Sequence, residues 1–177
     1  MKPLFLAAAF AVVCYAAFES PVSRASITAV ENSINDKFRG NSPDPYLLLG
    51  NARGTYLQGY GVLFTVELSL VVVTPPNPFR GPITPDEIAS IQDRKAKKLP
   101  IMKDAMRSLM TNASSTLEGL PNSERIGLEA ILFNYSWENN RGPRRILMTV
   151  GKQKLLEAKA RHLSPAEIAS LIEEREE

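Results

Sequence analysis

Apolar and polar residues alternate most regularly in the middle of the chain. Between residues 62 and 72 every second residue is apolar, and Thr65, Glu67 and Ser69 lie between apolar neighbours. A period of two is typical of a strand with one buried face. The short segment 54–57 comes before it, followed by the turn-rich residues 58–61. The pattern therefore predicts a β-hairpin.

One register of this hairpin gives two favourable cross-strand pairs. If residues 59–61 form a three-residue loop, Tyr56 lies opposite Phe64 and Arg53 lies opposite Glu67. An aromatic pair then occupies one face and an ion pair the other. Other registers satisfy the same alternation, so this pairing is a hypothesis.

A second pair of strands is predicted further along the chain. Both alternating sets of residues between 125 and 138 are largely apolar, which is typical of a strand that is central or covered on both faces. Residues 139–143 form a turn signal, and residues 144–150 read as the returning strand.

Helical spacing predicts an amphipathic helix over residues 23–39. Its apolar positions are three or four residues apart: Ile27, Val30, Ile34 and Phe38. Gly40 is a plausible stop, and residues 41–45 read as a linker. The proline-rich segment 74–82 reads as a stiff connection, with a polyproline ligand as the alternative.

Two further helices begin with the same capping signature. Thr84 with Glu87, and Ser164 with Glu167, match the capping box, and each has a proline at the first helical position. The sequence Glu-Ile-Ala-Ser follows in both places. Either a ββα unit is repeated, or capping boxes have converged on similar residues. Pro100 is expected to kink or split the first of these helices.

A methionine stripe follows Pro100, at Met102, Met106 and Met110. Such a stripe can form an adaptable binding groove, but we predict that it belongs to the core. The elements together predict an α+β fold, with a mainly antiparallel sheet of two hairpins and helices on one face. Its expected divisions are a signal peptide (1–18), an N-terminal helix and linker (19–45) and a single α+β domain (46–177).

The first eighteen residues predict export. Lys2 precedes an apolar run over residues 4–18 that ends near small residues, as in a secretory signal peptide, and the run is short for a membrane span. The single cysteine, Cys14, lies inside it, so the mature chain is expected to be cysteine-free and to fold without disulfides. Val13 disfavours lipidation of Cys14. We therefore expect a periplasmic or secreted bacterial protein.

Charge is small overall and uneven along the chain. The formal net charge of +2 does not by itself imply a polyanionic partner. Residues 141–161 hold seven basic residues and one acidic residue, and residues 167–177 hold five acidic residues and one arginine. We interpret these as solvated faces; the alternative is peripheral contact of the 141–161 stretch with a membrane surface. Nucleic acid is not an expected partner of an exported protein.

Catalytic motifs are weak. His162 is the only histidine, and neither a nucleophile nor an orienting acid is marked around it. We predict no metal site and no cofactor. The enzymatic alternative is a small periplasmic hydrolase of envelope glycan, using Glu67 or Glu138 as the acid, with Tyr135 and Trp137 stacking on sugar.

The function that these patterns favour is an exported, non-catalytic binding or assembly module of the bacterial cell envelope. Its partner would be an envelope protein or another envelope component. Binding residues are sought among exposed aromatic and charged residues near the hairpin turns, because loop tips carry function more often than scaffolds do. They are Arg53, Tyr60, Trp137 and Arg141.

Overall fold

The computed structural model describes residues 20–40, 44–73, 83–138 and 142–177. The predicted signal peptide with Cys14, most of the linker, the proline-rich segment 74–82 and Arg141 lie outside these residues. The described residues form a mixed sheet of six strands and four helices. The predicted α+β class is confirmed.

The elements follow one another in the order helix, three strands, helix, two strands, two helices, strand. Their bounds are α1 Arg24–Arg39, β1 Leu47–Leu48, β2 Arg53–Leu57, β3 Gly61–Ser69, α2 Pro85–Thr116, β4 Arg125–Leu132, β5 Arg145–Gly151, α3 Lys152–Ala160, α4 Pro165–Ser170 and β6 Glu173–Glu176.

Strands β3 and β4 form the centre of the sheet and run parallel to each other. Strands β1 and β2 both pair antiparallel with β3, and β4, β5 and β6 follow one another in antiparallel order. The sheet is mixed because the crossover that contains α2 returns the chain to the edge of β3 in the same direction, which two-residue turns cannot do.

The hypothesised register of the first hairpin is wrong by two residues. Arg53 pairs with Thr65, and Tyr56 pairs with Val62. The loop is residues 58–60, closed by a 3.0 Å hydrogen bond from the Tyr60 N–H to the Leu57 carbonyl. Gly61 is the first residue of β3 and has a φ of +134°. A Cβ at this position would lie 1.9 Å from the Arg125 carbonyl oxygen of β4. Only glycine fits that approach.

Helix α2 continues through Pro100 as one helix, so of the two expected effects the split is wrong, and the kink stays a prediction. Pro100 lies on the solvent side, where water can satisfy the carbonyl that loses its helical partner. On the opposite side Met102, Met106 and Met110 are at most 1% exposed and belong to the core. The prediction of core methionines is confirmed.

The core lies on one face of the sheet and receives side chains from all four helices. Every second residue of β3, β4 and β5 points into the core. Among them Val62, Leu128 and Ile146 are at most 1% exposed. No described helix covers the opposite face. One row of paired residues across that face consists of Arg53, Thr65, Glu129, Leu147 and Arg175.

Helix α1 is attached to the outer edge of β2 through polar side chains. Oε1 of Glu31 accepts a 2.7 Å hydrogen bond from the Gly54 N–H, and Oδ1 of Asn35 accepts a 2.8 Å bond from the Ala52 N–H. Glu31 and Asn35 are 7% and 6% exposed. These bonds satisfy strand donors that would otherwise form an unpaired sheet edge.

Candidate functional site

Strand β4 ends earlier than its sequence pattern predicts. The apolar alternation continues to residue 138, but the strand stops at Leu132. The Phe133 N–H still donates to the Leu68 carbonyl at 2.9 Å, and the side-chain amide of Asn134 then donates to the Leu132 carbonyl at 3.2 Å. The predicted strand over 125–138 is therefore corrected, because local side-chain bonds replace the sheet ladder after Phe133.

A buried ion pair holds the segment that follows, residues 133–138. Nζ of Lys95, on α2, donates to Oε2 of Glu138 and, at 2.8 Å, to Oδ1 of Asn134. The side chains of Lys95 and Glu138 are 9% and 1% exposed. The second oxygen of Glu138 accepts a 3.0 Å bond from the Tyr135 N–H. A buried carboxylate with both oxygens hydrogen-bonded fixes the backbone around it.

Three aromatic side chains follow one another along this segment. The rings of Phe133 and Tyr135 meet edge to face at 5.0 Å between centroids. Tyr135 and Trp137 stack at 5.2 Å with an interplanar angle of 11°. Nε1 of Trp137 is buried and has no hydrogen-bond partner among the described residues. The segment thus presents a packed aromatic group just beyond the carboxyl end of β4.

Two cavities of about 320 Å³ flank the 133–138 segment. The first, which we call the inner cavity, lies against α2 and is bounded by Leu70, Ala96, Leu99 and Pro143 among others. The second, the outer cavity, is lined by Glu67, Phe133, Tyr135, Ser136 and Arg144. Leu132, Asn134 and Glu138 line both. The segment is therefore the wall between the two cavities.

The outer cavity is lined by two charges that have no counterpart among the described residues. Within the described residues, the Glu67 carboxylate and the Arg144 guanidinium form no side-chain hydrogen bond or ion pair, and both residues line this cavity. By contrast, Glu129 on the same face forms an ion pair with Arg145 at 3.1 Å and accepts a hydrogen bond from the Thr65 hydroxyl at 3.3 Å. Glu67 and Arg144 are therefore the charges at this cavity that can meet a ligand.

The four residues proposed from sequence do not form one site. Trp137 belongs to the 133–138 segment, and Arg141 lies outside the described residues. Arg53 is exposed on the open face of β2, in register with Thr65. Tyr60, 41% exposed, lies in the β2–β3 loop at the opposite end of the sheet from Trp137. Seven steps of paired strand, about 23 Å, separate the two ends.

The two carboxylates proposed for glycan hydrolysis do line one cavity, which the sequence did not indicate. Glu138, however, has both oxygens engaged, by Lys95 and by the Tyr135 N–H. Sequence reasoning missed Lys95 and Arg144 as site residues. The available signal for Lys95 was its helical phase, because it lies seven residues before the core residue Met102.

Among the residues that the structure describes, no three His, Cys, Asp or Glu side chains are grouped so that they could hold a metal ion. Of the described helices, none is both long and apolar enough to cross a membrane.

Compared with protein-family models, with curated proteins and with solved structures, the chain has no match in any of the three comparisons.

Proposed function

We propose that this chain is an exported, non-catalytic binding or assembly module of the bacterial cell envelope, and that it binds through the outer cavity. The observation that carries the proposal is that Glu67 and Arg144, two charges without a partner in the described part of the chain, line one cavity beside aromatic rings. The lining of this cavity is mostly polar, and a small number of placed polar groups is what orients a ligand in a binding site.

The wall of the outer cavity supports binding because it is held in place before a ligand arrives. Lys95 and Glu138 tie the 133–138 segment to α2, and the Tyr135–Trp137 stack fills the turn. A preorganised wall reduces the entropy that binding would otherwise cost. The partner that we propose is an envelope protein or another envelope component, met in the periplasm or outside the cell.

A glycan hydrolase has less support as an alternative. Two-carboxylate hydrolysis needs an acid and a second carboxylate that both face the sugar. At the outer cavity Glu67 is open, but Glu138 is committed to Lys95 and to the Tyr135 N–H. A carboxylate with both oxygens occupied serves as a structural anchor, so we propose binding without catalysis.

Membrane-surface binding through residues 141–161 also has less support. Lys152 is 4% exposed, and its ammonium donates to the carbonyls of Leu117, Glu118 and Leu120 at 3.0, 3.0 and 2.7 Å. Lys159 donates to Ser115 at 2.7 Å. These two lysines donate to acceptors at the C-terminus of α2 and just after it. Fewer cations of the 141–161 stretch are therefore left to bind anionic lipid.

The proposal is tested by cross-linking a tagged chain in intact host cells, followed by fractionation and mass spectrometry. We expect the wild type in the envelope fraction with a recurrent partner. The double variant Glu67→Ala/Arg144→Ala should lose that partner. Asp36→Ala/Arg161→Ala is the matched control, because it removes one acidic and one basic side chain that are exposed elsewhere. The proposal is contradicted if both variants recover the partner equally, or if the wild-type chain is recovered without any partner.

We also propose that the chain contains two related ββα units. The β2–β3 pair is followed by α2, and the β4–β5 pair by α3 and α4. Both Thr84 with Glu87 and Ser164 with Glu167 form complete capping boxes. The units differ in length, since α2 has 32 residues and α4 has six. A common origin would place the second capped helix as a shortened counterpart of α2.

A further inference from the structure

We infer that the outer cavity takes a short peptide with two free ends, its terminal carboxylate on Arg144 and its terminal ammonium on Glu67. The inference rests on the proposed function, because it names the ligand of the same site. Its chemical basis is that one cation and one anion, both without an internal counterpart among the described residues, line one cavity.

A zwitterionic ligand fits these charges better than a neutral one does. A guanidinium binds a carboxylate through two parallel hydrogen bonds, and a carboxylate accepts from an ammonium in a charge-assisted bond. A neutral sugar would remove water from both charges and would supply an opposite charge to neither of them. Opposite charges on the ligand therefore make use of both Glu67 and Arg144.

The remaining groups of the cavity restrict what else the ligand can contact. The Asn134 side chain already accepts from Lys95 and donates to the Leu132 carbonyl. Both oxygens of Glu138 are engaged, by Lys95 and by the Tyr135 N–H. The hydroxyls of Ser136 and Tyr135 are the other side-chain polar groups at hand in the described lining. Phe133 and Tyr135 supply apolar surface. Recognition is thus concentrated on the two ends of the ligand, with its middle against aromatic rings.

The size of the cavity limits the length of the peptide. Ligand cavities range from about 300 to about 1,000 Å³, and the outer cavity, at about 320 Å³, is at the lower end of that range. A ligand of a few small residues is therefore expected. Longer chains would have to leave the cavity along the open face of the sheet, and one of their ends would then miss its charge.

The test uses three probes: tri-alanine, N-acetyl-tri-alanine and tri-alanine amide. Binding to the purified chain is measured by calorimetry and by shifts in the NMR signals of residues 133–138. We expect tri-alanine to bind, and blocking either end to weaken its affinity by about tenfold, because each block removes one charge-assisted bond.

Two variants assign each end to its residue. Arg144→Gln should weaken tri-alanine about tenfold and abolish the preference for a free carboxylate, while the preference for a free amine remains. Glu67→Gln should do the reverse. Asp36→Asn and Arg161→Gln are the matched controls and should bind like the wild type. Circular dichroism of each variant shows that it is folded.

Three results overturn the inference: no binding of tri-alanine, equal binding of blocked and free peptides, or wild-type behaviour of both cavity variants. They leave the proposed function standing if the cellular partner is still lost in Glu67→Ala/Arg144→Ala. If that partner is retained while tri-alanine binds as expected, the cavity is a peptide site and the proposed module is wrong. The two failures are therefore distinguishable.

Discussion

Oε1 of Glu138 accepts a 3.0 Å hydrogen bond from the backbone N–H of Tyr135, while Oε2 of the same carboxylate is bound by Lys95. One buried side chain thus joins the turn after β4 to helix α2. Removal of one partner from a buried ion pair leaves the other charge uncompensated, which costs about 3 kcal/mol. Glu138→Ala is therefore expected to lower the free energy of unfolding by about 3 kcal/mol, measured by urea denaturation.

Glu67→Ala serves as the comparison for that experiment. Glu67 lines the same cavity, but it is exposed and forms no ion pair within the described residues. Its removal should change stability by less than about 0.5 kcal/mol. Unchanged stability in Glu138→Ala would contradict the anchoring role and return Glu138 to the list of candidate acids.

The bond between Glu31 and Gly54 predicts a second effect on stability. In Glu31→Ala the Gly54 N–H loses its acceptor at a partly buried position, and we expect a loss of about 2 kcal/mol. Arg24→Ala leaves the Glu31–Gly54 bond in place and removes the ion pair to Glu31 together with a 3.2 Å hydrogen bond to the Gly54 carbonyl. The arginine side chain is 67% exposed, so the loss should be less than about 1 kcal/mol. Thermal unfolding of both variants measures the difference. Equal losses would show that Glu31 acts through Arg24 and not through its hydrogen bond to the Gly54 N–H.

His162 predicts a stabilising substitution. It follows the last turn of α3 with φ of 53°, and the Leu163 N–H donates back to the Ala158 carbonyl at 3.0 Å. This is a Schellman arrangement, in which glycine is the favoured residue at the left-handed position. His162→Gly should raise the free energy of unfolding by about 0.5 kcal/mol, and His162→Val should lower it. The opposite order in a denaturation series would contradict this geometry.

Strand β6 is expected to respond to acid. Glu174 accepts from Arg107 at 2.6 Å and pairs with Lys103 at 2.8 Å, both on α2. Burial by itself would raise the pKa of Glu174, but the bonds and charges of Lys103 and Arg107 outweigh it and lower the pKa below the ordinary 4.5. The stabilisation is therefore present above pH 4.5 and is lost as the pH falls through the lower pKa of the folded state.

The variant Glu174→Gln isolates this contribution. It should be less stable than the wild type by about 1 kcal/mol at neutral pH, since the pair is partly exposed. The difference should vanish well below pH 4.5, where the wild-type carboxylate is protonated too. Urea denaturation of both proteins over a pH series measures it. A difference that stays constant through the acid range would rule out ionisation of Glu174 as its cause.

Periodicity alone was sufficient for much of the fold. The alternation over residues 62–72 predicted β3, and the capping boxes at Thr84 and Ser164 marked the starts of α2 and α4. The parallel pairing of β3 with β4 did not follow from it, because alternation is the same for either strand direction. The hairpin register failed for a related reason: a shift by two residues keeps every side chain on its face.

The candidate site was less predictable because it depends on tertiary contacts. Residues 133–138 continue an apolar alternation, which predicts a strand. They leave the sheet instead, and Glu138 holds them by its bonds to the Tyr135 N–H and to Lys95, which lies about forty positions earlier in the chain. Trp137 was proposed as an exposed loop aromatic, but its ring stacks on Tyr135. Glu67 and Arg144 line the same cavity, although their separation in the sequence carries no pattern.

The central claim is that binding takes place at the carboxyl end of β3 and β4 and not at the β2–β3 loop. A photo-crosslinking amino acid placed at Ser136, in the outer cavity, and in a second protein at Tyr60 tests it in intact cells. Both positions are exposed, and they lie at opposite ends of the sheet. We predict a defined adduct from position 136 and none from position 60. An adduct from position 60 alone, or from neither, would contradict the account.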